Sequence, residues 1–95
     1  MAAYVIAMVD IKDPVRYEQY RQMVTPTITA FGGRFIVRGG RSDVLEGAWT
    51  PRRVVVLEFP SVERAKAWWS SSEYAEARAI RQATSEGTLI VVEGV

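Results

Sequence analysis

The sequence contains no cysteine and no histidine among its 95 residues. The lack of cysteine excludes disulfide bonds, thiolate nucleophiles and cysteine-ligated metals. The lack of histidine removes the usual acid–base group at neutral pH, the usual haem ligand and the commonest zinc ligand. Any catalysis must therefore use carboxylates, tyrosine, arginine, lysine or a bound cofactor. No motif for a metal or a cofactor is present, and we expect neither.

The sequence also lacks a strong charge of either sign and any long apolar run. The formal net charge is +1, with both signs scattered, so no basic stripe suggests nucleic-acid binding. No run approaches the about 20 apolar residues that cross a bilayer, and the first residues lack the positive region of a signal peptide. We expect one domain over residues 1–95, soluble and cytoplasmic, with no nucleic-acid or membrane partner.

The centre of the chain, residues 32–60, predicts two strands that fold back on each other. Residues 34–38 and 53–59 are rich in β-branched and aromatic side chains, and Gly39-Gly40 closes the first strand. The segment 41–52 is longer than a hairpin turn of about two to five residues. It is predicted to be an excursion with a short extended piece at residues 43–46.

The part before this centre predicts one strand and one helix. Residues 4–11 form the strand, and Asp13-Pro14 is a strong helix start because Asp caps free N–H groups and Pro suits the first helical position. Pro26 is predicted to kink the helix or split it near Val24, and Gly32-Gly33 to end it. The apolar face of this helix is predicted to comprise Tyr17, Tyr20, Val24, Ile28 and Phe31.

The part after the centre predicts two helical pieces and a strand. Ser61 caps the first piece, Ser71 caps a second piece through Thr84, and Gly87 leads into a strand at residues 88–93. The buried face of the first piece is predicted to be Val62, Ala65 and Trp69, with Trp68 at its edge. On the second piece, the predicted apolar residues are Tyr74, Ala77 and Ile80, and the predicted solvated ones are Arg78 and Arg81.

This βαββαβ order predicts an α+β, ferredoxin-like sandwich: an antiparallel four-stranded sheet with helices on one face. Right-handed crossovers place the third strand between the first and second, and the fourth beyond the first.

Alternation along the strands divides the sheet into two faces, both largely apolar. The set predicted to meet the helices is Val5, Ala7, Val9, Ile11, Phe35, Val37, Val55, Leu57, Phe59, Ile90 and Val92. A sheet face left in water should be mostly polar, so an apolar second face indicates a partner surface. We expect a homodimer in which two such faces meet. The predicted dimer interface is Tyr4, Ile6, Met8, Ile36, Val54, Val56, Leu89 and Val91.

The run YEQYRQMVTPTITAFGGRFIVRGG, followed by VLEG, VVVLEFPS and SSEYAEAR, resembles the family called domain of unknown function 1330 (DUF1330). The resemblance covers essentially the whole chain and implies a place in the dimeric α/β-barrel superfamily. Relatives in that superfamily include cofactor-free monooxygenases, lactone isomerases and haem enzymes. The histidine-ligated haem members match poorly, since this chain has no histidine. The resemblance supplies no reaction and no catalytic residue.

Four side chains are candidates for ligand binding, each with a simpler structural interpretation. Arg38 could clamp a carboxylate or enolate oxygen, or pair with an acid at the sheet rim. Tyr20 could present its hydroxyl to a helix–sheet pocket, or pack in the core. Trp69 could stack on a ligand, or belong to the core. Glu58 could be a carboxylate base in a dry cavity, or half of an ion pair with Arg34.

These features favour a homodimer that binds a small, partly apolar organic molecule, either anionic or neutral, between helices and sheet. One alternative is a cofactor-free oxygenase- or isomerase-like enzyme, with Arg38 steadying charge and Tyr20 or Glu58 moving a proton. A second alternative is a structural or partner-binding dimer without a ligand pocket.

Overall fold

Four strands and three helices make up the computed structural model, which describes residues 1–50 and 52–95. Their bounds are β1 Ala3–Ile11, α1 Pro14–Ala30, β2 Arg34–Arg38, β3 Val54–Phe59, α2 Val62–Trp69, α3 Ser72–Thr84 and β4 Ser85–Glu93. Since α2 and α3 together form the second crossover, the order is βαββαβ. The predicted ferredoxin-like fold is confirmed.

The sheet has the strand order β2-β3-β1-β4, and every neighbouring pair is antiparallel. β1 and β3 are therefore central, as the right-handed crossovers predict. Val5 of β1 lies opposite Leu57 on one side and Val91 on the other, so three apolar side chains form a row on the helix side.

Helix α1 begins as predicted and does not break at its internal proline. The Asp13 carboxylate accepts a hydrogen bond from the Arg16 N–H at 3.2 Å, and Pro14 occupies the first turn. The predicted split near Val24 is wrong, because α1 continues through Pro26 to Ala30. Pro26 has no N–H to donate to the preceding turn of the helix. It lies on the exposed side, where solvent can bond the carbonyl oxygen that is left without a donor.

The second crossover is capped at both predicted serines. The Ser61 hydroxyl accepts from the Arg64 N–H at 3.1 Å, and the Ser71 hydroxyl accepts from the Tyr74 N–H at 3.2 Å. Each bond satisfies an N–H group that a helix leaves free in its first turn.

Helix α3 passes into β4 without a linking residue. β4 begins at Ser85, three residues before the predicted start at position 88, and Thr84 is fully buried at the junction. The Thr84 carbonyl accepts hydrogen bonds from the N–H groups of Lys12 and Asp13, at 2.8 and 3.0 Å. The turn between β1 and α1 is thereby attached to the α3–β4 junction.

Trp68, rather than Trp69, is the core tryptophan of α2. Trp68 is 1% exposed, its ring centroid lies 4.1 Å from that of Tyr74, and its Nε1–H donates to Thr27 Oγ1 at 3.1 Å. Trp69 is 40% exposed. The predicted face of α2 is wrong by one position, because its buried residues Ala65 and Trp68 are three apart and lie one above the other.

A β-bulge in β2 reverses the alternation of that strand. The register with β3 is Phe35 opposite Leu57, Val37 opposite Val56, and Arg38 opposite Val55. The extra residue lies between Phe35 and Val37, so side chains after it exchange faces. Val37 therefore lies on the side away from the helices, so its predicted place on the helix side is wrong, and Arg38 lies on the helix side.

The predicted faces of β4 are also reversed. Leu89 and Val91 pack against the buried core beneath the helices, so their placement on the opposite face is wrong. Ile90 and Val92 lie on the other face and are 49% and 42% exposed. Pairing with β1 determines which residues of β4 face the helices, because Leu89 and Val91 lie opposite the buried Ala7 and Val5.

The sheet face away from the helices, here called the outer face, remains largely apolar after these corrections. Its apolar residues are Ile6, Met8, Ile36, Val37, Val54, Val56, Ile90 and Val92. None of them is fully buried within the chain. An apolar face of this extent is typical of a partner surface.

The excursion between β2 and β3 forms neither strand nor helix over residues 39–50. The piece predicted to be extended at 43–46 pairs with no strand among residues 1–50 and 52–95, and Leu45 within it is 98% exposed. Pro51, also in the predicted excursion, lies outside the described residues. Among residues 1–50 and 52–95, no helix has the length and apolar character needed to cross a bilayer.

Candidate functional site between helices and sheet

Two adjoining spaces lie on the helix side of the sheet. The larger, here called the groove, has a volume of about 740 Å³ and lies between α2, the end of α3 and β4. The smaller, here called the inner void, has a volume of about 30 Å³ and lies deeper, between α1, α3 and the sheet. Val5, Arg81 and Leu89 line both spaces.

The groove has an apolar floor and a polar rim. Val5, Leu89 and Val91 of the sheet form the floor, together with Ala65 of α2. The charged residues of its lining are Lys66, Arg81 and Glu86. Its volume is in the range of about 300–1,000 Å³ that is usual for small-molecule sites.

Trp69 forms part of the groove wall and is held by Arg78. The Arg78 guanidinium lies 4.8 Å from the centre of the indole and donates to the Trp69 carbonyl oxygen at 2.6 Å. This cation–π contact and hydrogen bond fix the half-exposed ring against α3.

Arg81 anchors a chain of hydrogen bonds that runs from the groove to the inner void. Its Nε donates to the Tyr74 hydroxyl at 3.2 Å, and the Tyr74 and Tyr20 hydroxyls share a hydrogen bond of 3.0 Å. Tyr74 is fully buried, so its own proton is best satisfied by donation to Tyr20. The Tyr20 proton then remains free to donate.

Burial controls the protonation of the tyrosines beside the inner void. Desolvation raises the pKa of Tyr20 far above its ordinary value, and the contact with Tyr74 raises it further. Burial also raises the pKa of Tyr17, an effect that the neighbouring Arg53 partly offsets. Tyr20 is therefore a hydrogen-bond donor at neutral pH and not a base.

Arg38 reaches the inner void because of the β2 bulge. Its guanidinium lies 4.1 Å from the centre of the Phe35 ring, and Nη2 donates to the Arg21 carbonyl oxygen at 3.1 Å. The predicted pairing of Arg38 with an acid at the sheet rim is not found within residues 1–50 and 52–95 of a single chain. The four ion pairs found in the described part of the chain include neither Arg38, Arg53 nor Arg81.

Glu58 lies on the outer face, away from both spaces. It accepts a hydrogen bond from Arg34 Nε at 2.8 Å and one from the Tyr4 hydroxyl at 3.3 Å. Its simpler interpretation, an ion pair with Arg34, agrees with this geometry.

The four predicted ligand residues are thus found in three places. Tyr20 and Arg38 line the inner void, Trp69 lines the groove, and Glu58 lies on the outer face. Sequence reasoning missed Arg81, which it assigned to a solvated helix face. Its spacing of seven from Tyr74, two helical turns, was the signal that it shares the buried face.

Within residues 1–50 and 52–95, no group of three or more acidic side chains is placed to hold a metal ion. The inner void has room for roughly two water-sized groups, whereas the groove can accept an organic molecule without rearrangement of the core.

Comparisons with solved structures support the fold. A protein of unknown function from Rhodopseudomonas palustris has a TM-score of 0.80 at 20% identity, over 99% of this chain and 82% of that one. A dimeric ferredoxin-like protein of unknown function from Jannaschia sp. CCS1 has a TM-score of 0.69 at 13% identity, over 100% and 99%. SnoaB, a cofactor-independent oxygenase from Streptomyces nogalater, has a TM-score of 0.63 at 9% identity, over 99% and 92%.

At these identities the likeness concerns the fold alone. A search of curated proteins found no match. The sequence model of one family, described as domain of unknown function (DUF1330), matches residues 2–95. Together with the βαββαβ fold and the GGRFIVRGG and LEFPS segments, this match shows that the chain belongs to the DUF1330 family.

Proposed function

We propose that this protein is a homodimer that binds a small, partly apolar organic anion in the groove beside Arg81. The groove is the main support for this function. It offers about 740 Å³ of space with an apolar floor, and its lining includes two cationic side chains, Arg81 and Lys66. A ligand with an apolar body and one negative group complements both features.

Arg81 is the group best suited to hold the negative end. Its Nε is engaged by Tyr74, which fixes the guanidinium, while the other nitrogens make no hydrogen bond or ion pair within residues 1–50 and 52–95. A fixed guanidinium loses little side-chain entropy when it binds a carboxylate and can do so through two parallel bonds. Lys66 adds positive charge, against the single acid Glu86.

The outer face supports the dimeric part of the proposal. A second copy would cover its eight apolar residues on both chains about a two-fold axis, which is the usual symmetry of such pairs. The Jannaschia protein, which has this fold, is described as dimeric. Closure of two sheets in this way would give the dimeric barrel that the family resemblance implies.

The enzymatic alternative receives less support. SnoaB, with the same fold, is described as a cofactor-independent oxygenase. However, the two proton carriers considered for such chemistry are not suited to it: Tyr20 stays protonated, and Glu58 is paired with Arg34 on the outer face. Binding requires neither of them to react.

Native mass spectrometry of the freshly purified protein, followed by ligand titration, tests the proposal. We expect a dimer and saturable quenching of tryptophan fluorescence by benzoate or hexanoate, with at least tenfold weaker binding of benzamide and hexanamide. Arg81→Gln should weaken carboxylate binding at least tenfold, whereas Arg16→Gln, at an exposed position on α1, should not. A monomer would refute the dimer, and equal binding of acids and amides would refute the anion site.

A further inference from the structure

Arg53, which immediately precedes β3, is a half-buried cation that makes no ion pair within residues 1–50 and 52–95. Its carbonyl oxygen accepts a hydrogen bond from the Val9 N–H at 2.8 Å, and its side chain lines the inner void with Tyr17. Its Nε is the only buried side-chain nitrogen or oxygen without a hydrogen-bond partner over residues 1–50 and 52–95. Leaving such a donor unpaired is unfavourable, and more so when the group is charged.

The backbone leaves space for this guanidinium. Gly39 has φ +70°, and a Cβ atom at this position would come within 2.5 Å of Arg53 Cζ. No L-amino acid with a side chain could occupy position 39 without moving the guanidinium. Gly39 N–H also donates to the Val54 carbonyl oxygen at 2.9 Å, so the backbone here is fixed and not a loose loop.

The surroundings of Arg53 are positive and rich in donors. Arg38 and Arg81 line the same void, and so do the two tyrosines Tyr17 and Tyr20. No carboxylate pairs with any of these three arginines in the described part of the chain. Because Tyr20 retains a free hydroxyl proton, the void offers cations and a neutral donor but lacks an anion.

We propose that the inner void is a second anion site, in which Arg53 binds the carboxylate group of a small organic acid. The volume of about 30 Å³ corresponds to roughly two water-sized groups, which is the size of the two oxygens of a carboxylate. The apolar walls, among them Val9, Val55 and Leu89, lower the local polarity and strengthen the charge interaction. The site depends on Arg53 and stands whether or not the groove binds a ligand.

Formate is the probe, and the Nε–Hε resonances of the ¹⁵N-labelled arginines are the readout. We expect a saturable shift of the Arg53 resonance, identified by its absence from the spectrum of Arg53→Lys. Sodium chloride at equal ionic strength and neutral formamide should leave it unshifted. A linear, unsaturated shift, or an equal response to chloride or formamide, would overturn the proposal.

Two matched variants separate the site from a general salt effect. Formate should raise the melting temperature of the wild type and of Arg52→Gln, whose side chain is exposed, but not that of Arg53→Gln. The affinity for formate should fall at least tenfold in Arg53→Gln and less than twofold in Arg52→Gln. Equal losses in both would contradict a specific site. If Arg53→Gln does not fold, the titration of the Arg53 resonance in the wild type still shows whether formate binds at this site.

Discussion

The Arg53 guanidinium occupies the space in which a side chain at position 39 would begin. The φ of +70° at Gly39 is disfavoured for other residues, and a Cβ atom there would also push the guanidinium aside. The glycine that follows β2 therefore leaves the space that the half-buried Arg53 guanidinium fills.

Gly39→Ala should lower the free energy of unfolding by about 1–3 kcal/mol, because alanine must adopt the left-handed backbone and displace Arg53. Gly40→Ala is the matched control, since no atom lies within 4 Å of a Cβ atom there. Urea unfolding monitored by tryptophan fluorescence measures both. Equal stabilities of the two variants would show that Gly39 does not hold the guanidinium in place.

Stability should decrease in alkaline solution because of the buried tyrosines. The folded protein holds the Tyr20 proton more tightly than the unfolded chain does, so the unfolded chain loses it first, above a pKa of about 10. The free energy of unfolding then falls with pH by up to about 1.4 kcal/mol per pH unit for each such tyrosine, and is unaffected by them below pH about 10.

Tyr20→Phe should therefore flatten the alkaline slope by up to one proton, approaching about 1.4 kcal/mol per pH unit above pH about 11. Urea unfolding at a series of pH values measures the slope. Thr27→Val is the control, because it removes the hydrogen bond from Trp68 without removing a titrating group. The interpretation fails if both variants keep the slope of the wild type.

A charge on the outer face should prevent dimerisation. Ile90→Glu places a carboxylate at a position that is 49% exposed in one chain, so the fold of that chain tolerates it. In the dimer, two copies of this charge would be buried without partners, and we expect the dissociation constant to rise at least about a hundredfold, or about 2.7 kcal/mol. Light scattering over a concentration series measures it.

Val15→Glu is the matched control for that variant. Val15 is 84% exposed on α1, on the opposite side of the molecule from the outer face. Its replacement by Glu adds the same charge as Ile90→Glu. Val15→Glu should remain a dimer. If Ile90→Glu dimerises as tightly as Val15→Glu, the outer face is not the dimer surface.

The two adjacent tryptophans of α2 should respond differently to truncation. Trp68→Ala should lower the free energy of unfolding by about 3–5 kcal/mol, because it opens a cavity between Tyr74 and the sheet. Trp69→Ala should cost less than about 1 kcal/mol, since 40% of the residue is already exposed, but should weaken carboxylate binding in the groove. Denaturation and fluorescence titration of both variants measure these effects; a reversed order of stabilities would contradict the assignment of Trp68 to the core.

Element order and strand order could be predicted from the sequence because the local signals agree. Asp13-Pro14, Gly32-Gly33, Ser61 and Ser71 mark the helix ends, and the handedness of crossovers leaves one strand order. The side chains of the candidate site were harder to place, since they depend on which face each strand presents.

The faces were mispredicted where alternation carries no information. Residues 89–92 are all apolar, so only pairing with β1 decides which of them meet the helices. In β2, counting by twos cannot reveal the extra residue before Val37, and this residue is what turns Arg38 towards the helices. No pattern in the sequence marked Arg53 as a candidate residue. Its importance follows from its contact with Gly39, fourteen positions earlier in the chain.

The direct passage from α3 into β4 limits where this chain can be lengthened. Thr84 is fully buried, and its carbonyl oxygen holds two N–H groups of the β1–α1 turn. One inserted residue there would shift every side chain of β4 to the other face and release that turn. Residues 41–50 are all exposed and carry no ladder of hydrogen bonds, so epitope tags, labels or whole guest domains belong in that segment.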